Sequence, residues 1–284
     1  MCHDRAVVGD QVDLVVNVFE RTYRRVLAPG WFPRLTDDNG YGFARRVVLV
    51  NNTEDPVDAA RLANDLIARK EIDEWHFVAD RIGSALEMVG LRPRDLHPLP
   101  HYSDCALTAL CLDGAEFVVY WDADVHLVTP CDWVTPSLDL LHTEPQVVVA
   151  NPCWDGDEAR SAAFSVKGDF ALGYGFSDWA WLARRSTFRE QNWSAPAAPA
   201  SYRYPLSHIT PVFEQRVDTW MRYGRFHRAT YLPATAAHDG PVGTMYPATT
   251  PRQRARRRVQ SLALRSGRRW MPNHPAWSPY PKRP

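Results

Sequence analysis

Two aspartates one residue apart, Asp122 and Asp124, leave the apolar run Phe117-Val118-Val119-Tyr120-Trp121. Residues i and i+2 at the end of a strand point to one side, and the small Ala123 between them leaves room for a ligand. Two carboxylates on one side suit a hard cation, Mg2+ or Mn2+, which completes its coordination with water and phosphate oxygens. Such an ion stabilises the negative charge that builds on a departing diphosphate. The competing reading is a pair of solvated loop aspartates.

The elements that must position this pair are legible in outline. Val12–Phe19 is an almost continuous apolar run, as in a strand covered on both faces, and Arg45–Asn52 repeats the pattern. Further strands are expected at Glu74–Ala79, Glu116–Trp121 and Val147–Ala150. Between them, Pro56 opens a helix that runs to Lys70, Ile82–Val89 forms a short helix before Gly90, and Ser103–Leu112 forms another before Asp113-Gly114. Phe213–Tyr223 reads as a helix stopped by Gly224. Gly30–Gly42, rich in Gly, Pro, Asp and Asn, reads as a loop, and so does the Ala/Pro/Ser/Tyr stretch 196–204.

Alternating strands and helices predict an α/β fold: a mostly parallel central sheet flanked by helices. In such sheets the ligand crevice lies beyond the carboxyl ends of the strands. Asn17, Asn51, Asp80 and Asp122 all follow apolar strands, so four polar groups would meet on one edge.

The chain has 284 residues and a formal net charge of zero, from 33 basic and 33 acidic side chains, but the charge is unevenly spread. Residues 252–284 hold ten basic side chains and no acidic one, leaving a body of −10 and a tail of +10. An apolar fraction of 45% excludes a globally disordered chain. No apolar run approaches the roughly 18 residues of a membrane span. The first residues lack the layout of a signal peptide, and the five scattered cysteines contain no CxxC pair. A cytoplasmic location is the expectation.

With these parts in order, the chain resembles a GT-A glycosyltransferase, closest in layout to the family 2 group. The resemblance rests on the first strand with its polar turn (Val15–Arg21), the polar turn after the second strand (Asn51–Asp55), and the helix ending in Gly114 that leads to the Asp122-Ala123-Asp124 strand. Pro130-Cys131-Asp132-Trp133 follows, and then Glu214–Asp218, Gly224, Pro233 and His238. It spans roughly residues 12–240. It implies a Rossmann-like GT-A domain over residues 1–250, with a nucleotide-binding half of about 1–125 and an acceptor-binding half of about 126–250. It also implies transfer of a hexose from a UDP- or GDP-type nucleotide sugar to a hydroxyl of a glycan, lipid or natural product.

By the same resemblance, Asp122, Asp124 and His238 hold Mn2+ or Mg2+, and Glu214 is the general base, with Asp178 as its rival. Asn17, Glu20, Asn51, Arg81 and Asp122 contact the nucleotide. The sequence departs from the family pattern in three places. Glu214-Gln215 replaces an acidic pair, Asn51-Asn52 stands where an aspartate is usual, and Asp104 and Cys105 occupy the place of a basic residue.

Gly173–Arg185 resembles the acceptor-side segment of these enzymes, which ends in a strand carrying two arginines. Tyr174 and Trp179, together with Trp154 after the fifth strand, are the candidate acceptor contacts. Core packing is the expectation for at least one of Trp179 and Trp181.

Two other functions compete. Asp122 also fits the nucleophile of a haloacid-dehalogenase-like phosphatase, with Lys167-Gly168-Asp169 as its later motif, but His126 stands where a threonine is usual. Alternatively, an acidic body with a basic tail suits a non-catalytic adaptor. The tail itself reads as a helix from Thr250-Pro251 to Gly267, with Val259, Leu262 and Ala263 on one face among arginines, followed by a Pro-rich end that is not helical. Residues 252–269 could dock on the acidic body, lie on the inner face of a membrane, bind nucleic acid without sequence preference, or stay solvated. No specific nucleic acid is expected.

Overall fold

The computed structural model describes residues 10–191, 193–239 and 247–279. The apolar runs become strands β1 (Val12–Val18), β2 (Arg45–Val50), β3 (Glu74–Phe77), β4 (Phe117–Asp122), β5 (Val125–Leu127), β6 (Val147–Cys153), β7 (Ser165–Lys167), β8 (Phe170–Gly173), β9 (Ala180–Arg184) and β10 (His227–His238). The helices are α1 (Tyr23–Val26), α2 (Trp31–Asn39), α3 (Pro56–Ala68), α4 (Val78–Met88), α5 (Pro93–Leu96), α6 (Asp104–Cys111), α7 (Val134–Thr143), α8 (Gly156–Ala162), α9 (Arg185–Arg189), α10 (Phe213–Gly224) and α11 (Pro251–Trp270).

The main sheet runs β3-β2-β1-β4-β9-β6-β10-β8-β7, and β5 pairs with the far end of β10. The first four strands are parallel. β9 inserts antiparallel between β4 and β6. All seven residues of β1 are buried, because helices cover both faces of the sheet. Two apolar clusters fill those faces, one around Trp121, Trp133 and Phe32, the other around Tyr120, Trp181 and Phe188. The α/β architecture expected from the alternation is therefore present. No described helix is long and apolar enough to cross a membrane.

A buried ionic cluster lies in the sheet, at the opposite end from Asp122. Asp13 is fully buried, and its carboxylate accepts from Arg185 at 3.0 Å, Arg45 at 2.6 Å and the Ala115 N–H at 3.0 Å. Gly114 makes this packing possible: its φ is +149°, and a Cβ there would run into the Arg45 guanidinium and the Asp13 carboxylate.

Three sequence expectations need correction. Gly30–Gly42 is not a loop, since it contains α2. Gly30, at φ +90°, turns the chain into the helix, while Phe32, Leu35 and Asn39 are buried on its inner side. The Asn39 side chain accepts from the Trp133 indole at 2.6 Å, so tertiary contacts override a composition rich in turn formers. Asp80 does not follow a strand either; β3 stops at Phe77, and Asp80 lies in the first turn of α4. Within 196–204, Pro199–Arg203 forms a short 3-10 helix.

The basic tail is anchored to the body. Thr250 caps α11 as expected, with Gln253 returning the bond, but the helix passes Gly267 and ends at Trp270. Gln260 is buried and donates to the Ser207 carbonyl at 2.9 Å. Buried Arg222 donates to the carbonyls of Pro275 at 2.6 Å and Ser278 at 2.7 Å. Residues 275–279 of the Pro-rich end are thus packed, with Ala276 and Ser278 buried, whereas 271–274 are exposed; residues 280–284 lie outside the described part.

Candidate active site

The strand order reverses between β1 and β4: β2 and β3 extend from one side of β1, and later strands extend from β4. A ligand crevice belongs at the carboxyl ends of the strands at such a point. Asn17 and Asp122 occupy it as register partners, and Asn17 Nδ2 donates to Asp122 Oδ1 at 3.5 Å. The Ala123 N–H donates to the Asn17 carbonyl at 3.1 Å and to Asp122 Oδ1 at 2.8 Å, fixing the start of the turn.

The antiparallel strands bring distant segments to the same turn. In β9, Ala180 pairs with Trp121, so the Trp179 carbonyl accepts from the Asp122 N–H at 2.7 Å and Asp178 arrives beside the aspartates. In β10, His238 pairs with Val125; its Nε2 lies 3.0 Å from Asp124 Oδ2, and the Asp239 N–H reaches the Asp124 carbonyl at 2.6 Å. The Trp179 ring lies against the His238 ring, with centroids 5.3 Å apart. Glu214, in the first turn of α10, lies close enough to Asp178 for the two carboxyls to influence each other.

Asp122, Asp124, Asp178 and Glu214 therefore sit in one neighbourhood. Each keeps part of its surface accessible, yet protein crowds all four. Burial pushes the Asp122 carboxyl well above the usual range, and Asp124 and Asp178 push it further. Burial also raises Asp124, against the pull of His238, Arg21 and Arg25. Burial and Asp124 raise Asp178. Glu214 is raised well above its ordinary value by burial and then by Asp178. This concentration of like charge costs free energy unless protons or a cation compensate it.

The donor set fits a hard divalent cation in kind: two carboxylates and an imidazole. Asn17 Oδ1 and His238 Nδ1 are buried without a hydrogen-bond partner, so the site has unused donor capacity. In this arrangement Asp124 and His238 are paired with each other, and among the described residues no group of three His, Cys, Asp or Glu side chains is already gathered around a metal position.

The nucleotide candidates are less concentrated. Glu20 Oε2 accepts from the Glu54 N–H at 2.7 Å, tying the first polar turn to the second. Asn51 Nδ2 donates to Asp104 Oδ1 at 2.9 Å, and burial lifts the Asp104 carboxyl to about 6. Arg81 is exposed on α4 and turns to His76 Nδ1 at 3.1 Å. Among the acceptor candidates, Trp179 borders the site, whereas Tyr174 is 8% exposed and packs against Phe164 and His227. Trp154 lies under Arg228, 4.8 Å from ring centre to guanidinium carbon. Trp181 is core, stacked on Tyr120, as expected for one of the two tryptophans.

Two features were invisible without the fold. Asp239 accepts from Arg25 at 2.5 Å and pairs with His126 at 2.9 Å, while Arg25 Nη2 donates to the Ala123 carbonyl at 2.7 Å. This clamp locks the end of β10 to the Asp122–Asp124 turn. Separately, the Tyr204 hydroxyl accepts from the Phe176 N–H at 2.8 Å and donates to its carbonyl at 3.1 Å. Gly175, at φ +117°, lets this segment pass Arg203. No short motif signals either one. The phosphatase reading fails at Lys167: that residue lies in β7 at the far edge of the sheet and pairs with Glu144, remote from Asp122 in strand order.

No family model matches the chain, and no curated protein matches it. Among solved structures, glucosyl-3-phosphoglycerate synthase from Mycobacterium tuberculosis in complex with Mn2+, UDP and glucosyl-3-phosphoglycerate is similar at 16% identity, covering 89% of this chain and 79% of that one, with a TM-score of 0.44. The complex of that enzyme with Mn2+, UDP-glucose and phosphoglyceric acid gives 15% identity, 89% and 80% coverage and a TM-score of 0.44. A structure described as a mycobacterial protein gives 15% identity, 90% and 74% coverage and a TM-score of 0.46. These identities are below 25% and the TM-scores below 0.5, so the chemistry of this chain rests on its own residues.

Proposed function

We propose that the chain is a GT-A-type glycosyltransferase that moves a hexose from a UDP- or GDP-type nucleotide sugar to a hydroxyl acceptor. One observation carries this reading: Asp122, Asp124, Asp178 and Glu214 converge with His238 at the carboxyl ends of the strands, where the strand order reverses. Asp122, Asp124 and His238 would hold Mn2+ or Mg2+, which when bound neutralises charge on the diphosphate. Residues 1 to about 125 would form the nucleotide half and the remainder to about 250 the acceptor half.

In this reading the chain's own groups divide the work. Asn17, Glu20 and Asn51, with Arg81 at the rim, contact the nucleotide. Trp179 offers an aromatic face to a sugar ring beside His238, and Tyr174 and Trp154 stand further along the acceptor side. Glu214 takes the proton from the acceptor hydroxyl. Its raised affinity for protons makes it a stronger base than a solvated carboxylate, provided it is ionised when the acceptor binds. Asp178 adds a second carboxylate that influences both the base and Asp122, and is itself influenced by Asp124.

A thermal-shift panel of UDP-, GDP-, dTDP- and CDP-sugars, with and without Mn2+, tests the reading. The expected result is metal-dependent stabilisation by one nucleotide class that disappears in Asp124→Ala. Absence of any shift across the whole panel contradicts it.

A further inference from the structure

The docking of α11 inverts what its sequence suggests. Val259, Leu262 and Ala263 form its apolar face, yet Gln260 and Gly267 are the residues buried against the body, the latter so close that a Cβ would strike the Trp277 carbonyl. Val259 is 64% exposed, Leu262 57% and Trp270 73%. The helix thus satisfies its contact with the body through polar and small side chains and keeps its large apolar ones outside.

The outer face is also strongly cationic. Arg254, Arg257, Arg258 and Arg265 line, with Ser261 and Leu262, an open concavity of about 500 Å³. Arg254 and Arg265 donate only to the backbone carbonyls of Thr249 and Ser261. Among the described residues, no arginine of α11 forms an ion pair with a carboxylate, although the body carries all 33 acidic side chains. Docking of α11 on the body therefore uses no ion pair; its charged contact is Arg256, which donates to the Ile209 carbonyl at 3.1 Å.

The geometry points to the outer face of α11 as an interfacial surface for an anionic lipid bilayer. Exposed arginines flanking Leu262, with exposed Val259 at the margin toward the body and Trp270 at the end, match a helix lying in the headgroup region: cations meet lipid phosphates, and apolar side chains enter the acyl boundary. A nucleic acid would use the arginines but gain nothing from exposed Leu262 or Val259. The inference is independent of the chemistry at Asp122 and Asp124.

The test is co-sedimentation of the full chain with vesicles of phosphatidylcholine alone or mixed with phosphatidylglycerol, at low and high salt, beside anisotropy titration of a short DNA duplex. Binding is expected only to the anionic vesicles and is expected to weaken with salt. Replacing Arg254, Arg258 and Arg265 together by Gln should weaken it on the order of 100-fold, taking roughly a fivefold loss per arginine. Leu262→Gln should weaken it roughly tenfold while leaving any DNA binding unchanged. These side chains point away from the body, so unfolding midpoints should not move, and Arg→Lys replacements at the same three positions should retain binding. Failure to bind the anionic vesicles overturns the inference. Equal binding by Leu262→Gln, with DNA bound as tightly as lipid, also overturns it and assigns the face to polyanions in general.

Discussion

His238 Nε2 lies 3.0 Å from Asp124 Oδ2, although the two stand 114 positions apart in the chain. The contact exists because β10 runs antiparallel to β5 and sets His238 opposite Val125. It joins the imidazole to the aspartate pair, so the two should act together on a bound cation. Asp124→Asn and His238→Ala are each expected to abolish or strongly weaken Mn2+-dependent binding of the nucleotide while leaving the fold intact. Calorimetric titration of nucleotide with Mn2+, with circular dichroism as the fold control, measures both.

Asp239 holds this arrangement from behind through Arg25 and His126. Partners that orient metal ligands typically contribute 10–100-fold in affinity. Asp239→Asn should therefore raise the Mn2+ concentration needed for half-maximal nucleotide binding about tenfold, with little change in maximal binding. An unchanged requirement would show that the clamp is ornamental to the site.

The Asp104 carboxyl is raised to about 6 by burial. A carboxyl whose folded value exceeds its unfolded value of about 3.9 binds more protons in the folded state, so its contribution to stability is present at low pH and is lost as pH rises from about 4 to 6. Asp104→Asn keeps an oxygen for Asn51 and Cys105 and removes the charge. It should stabilise the protein by roughly 2–3 kcal/mol above pH 6, with the gain vanishing near pH 4. Urea unfolding of both proteins across that window checks the sign.

At the other end of the sheet, Asp13→Ala leaves Arg185 buried without its carboxylate. Breaking a buried pair by removing one partner costs about 3–5 kcal/mol. Denaturant midpoints should show a loss of that order, and a loss below about 1 kcal/mol would mean the cluster is hydrated or rearranged.

What the sequence disclosed follows from the range of each interaction. Asp122 and Asp124 stood out because a strand and its exit are local features, and the alternation of strands and helices gave the sheet for the same reason. His238, Glu214 and Asp178 were reachable only by resemblance, because antiparallel β9 and β10 deliver them from far along the chain. The clamp of Arg25, His126 and Asp239 had no local signature. α2 was hidden by Gly30, Pro33, Asp37 and Asp38, whose turn preference is outweighed by the burial of Phe32 and Leu35. In α11 the periodicity was legible but the face that meets the body was not, because Gly267 allows a close approach that Leu262 does not.

The most direct test is calorimetric titration of UDP and GDP into the intact protein with and without Mn2+. One of the two nucleotides should bind measurably with Mn2+, lose at least tenfold in affinity when EDTA removes the ion, and fail to bind Asp122→Asn. Binding that is indifferent to Mn2+ and to Asp122 would contradict the assignment of the aspartate pair as the cation site.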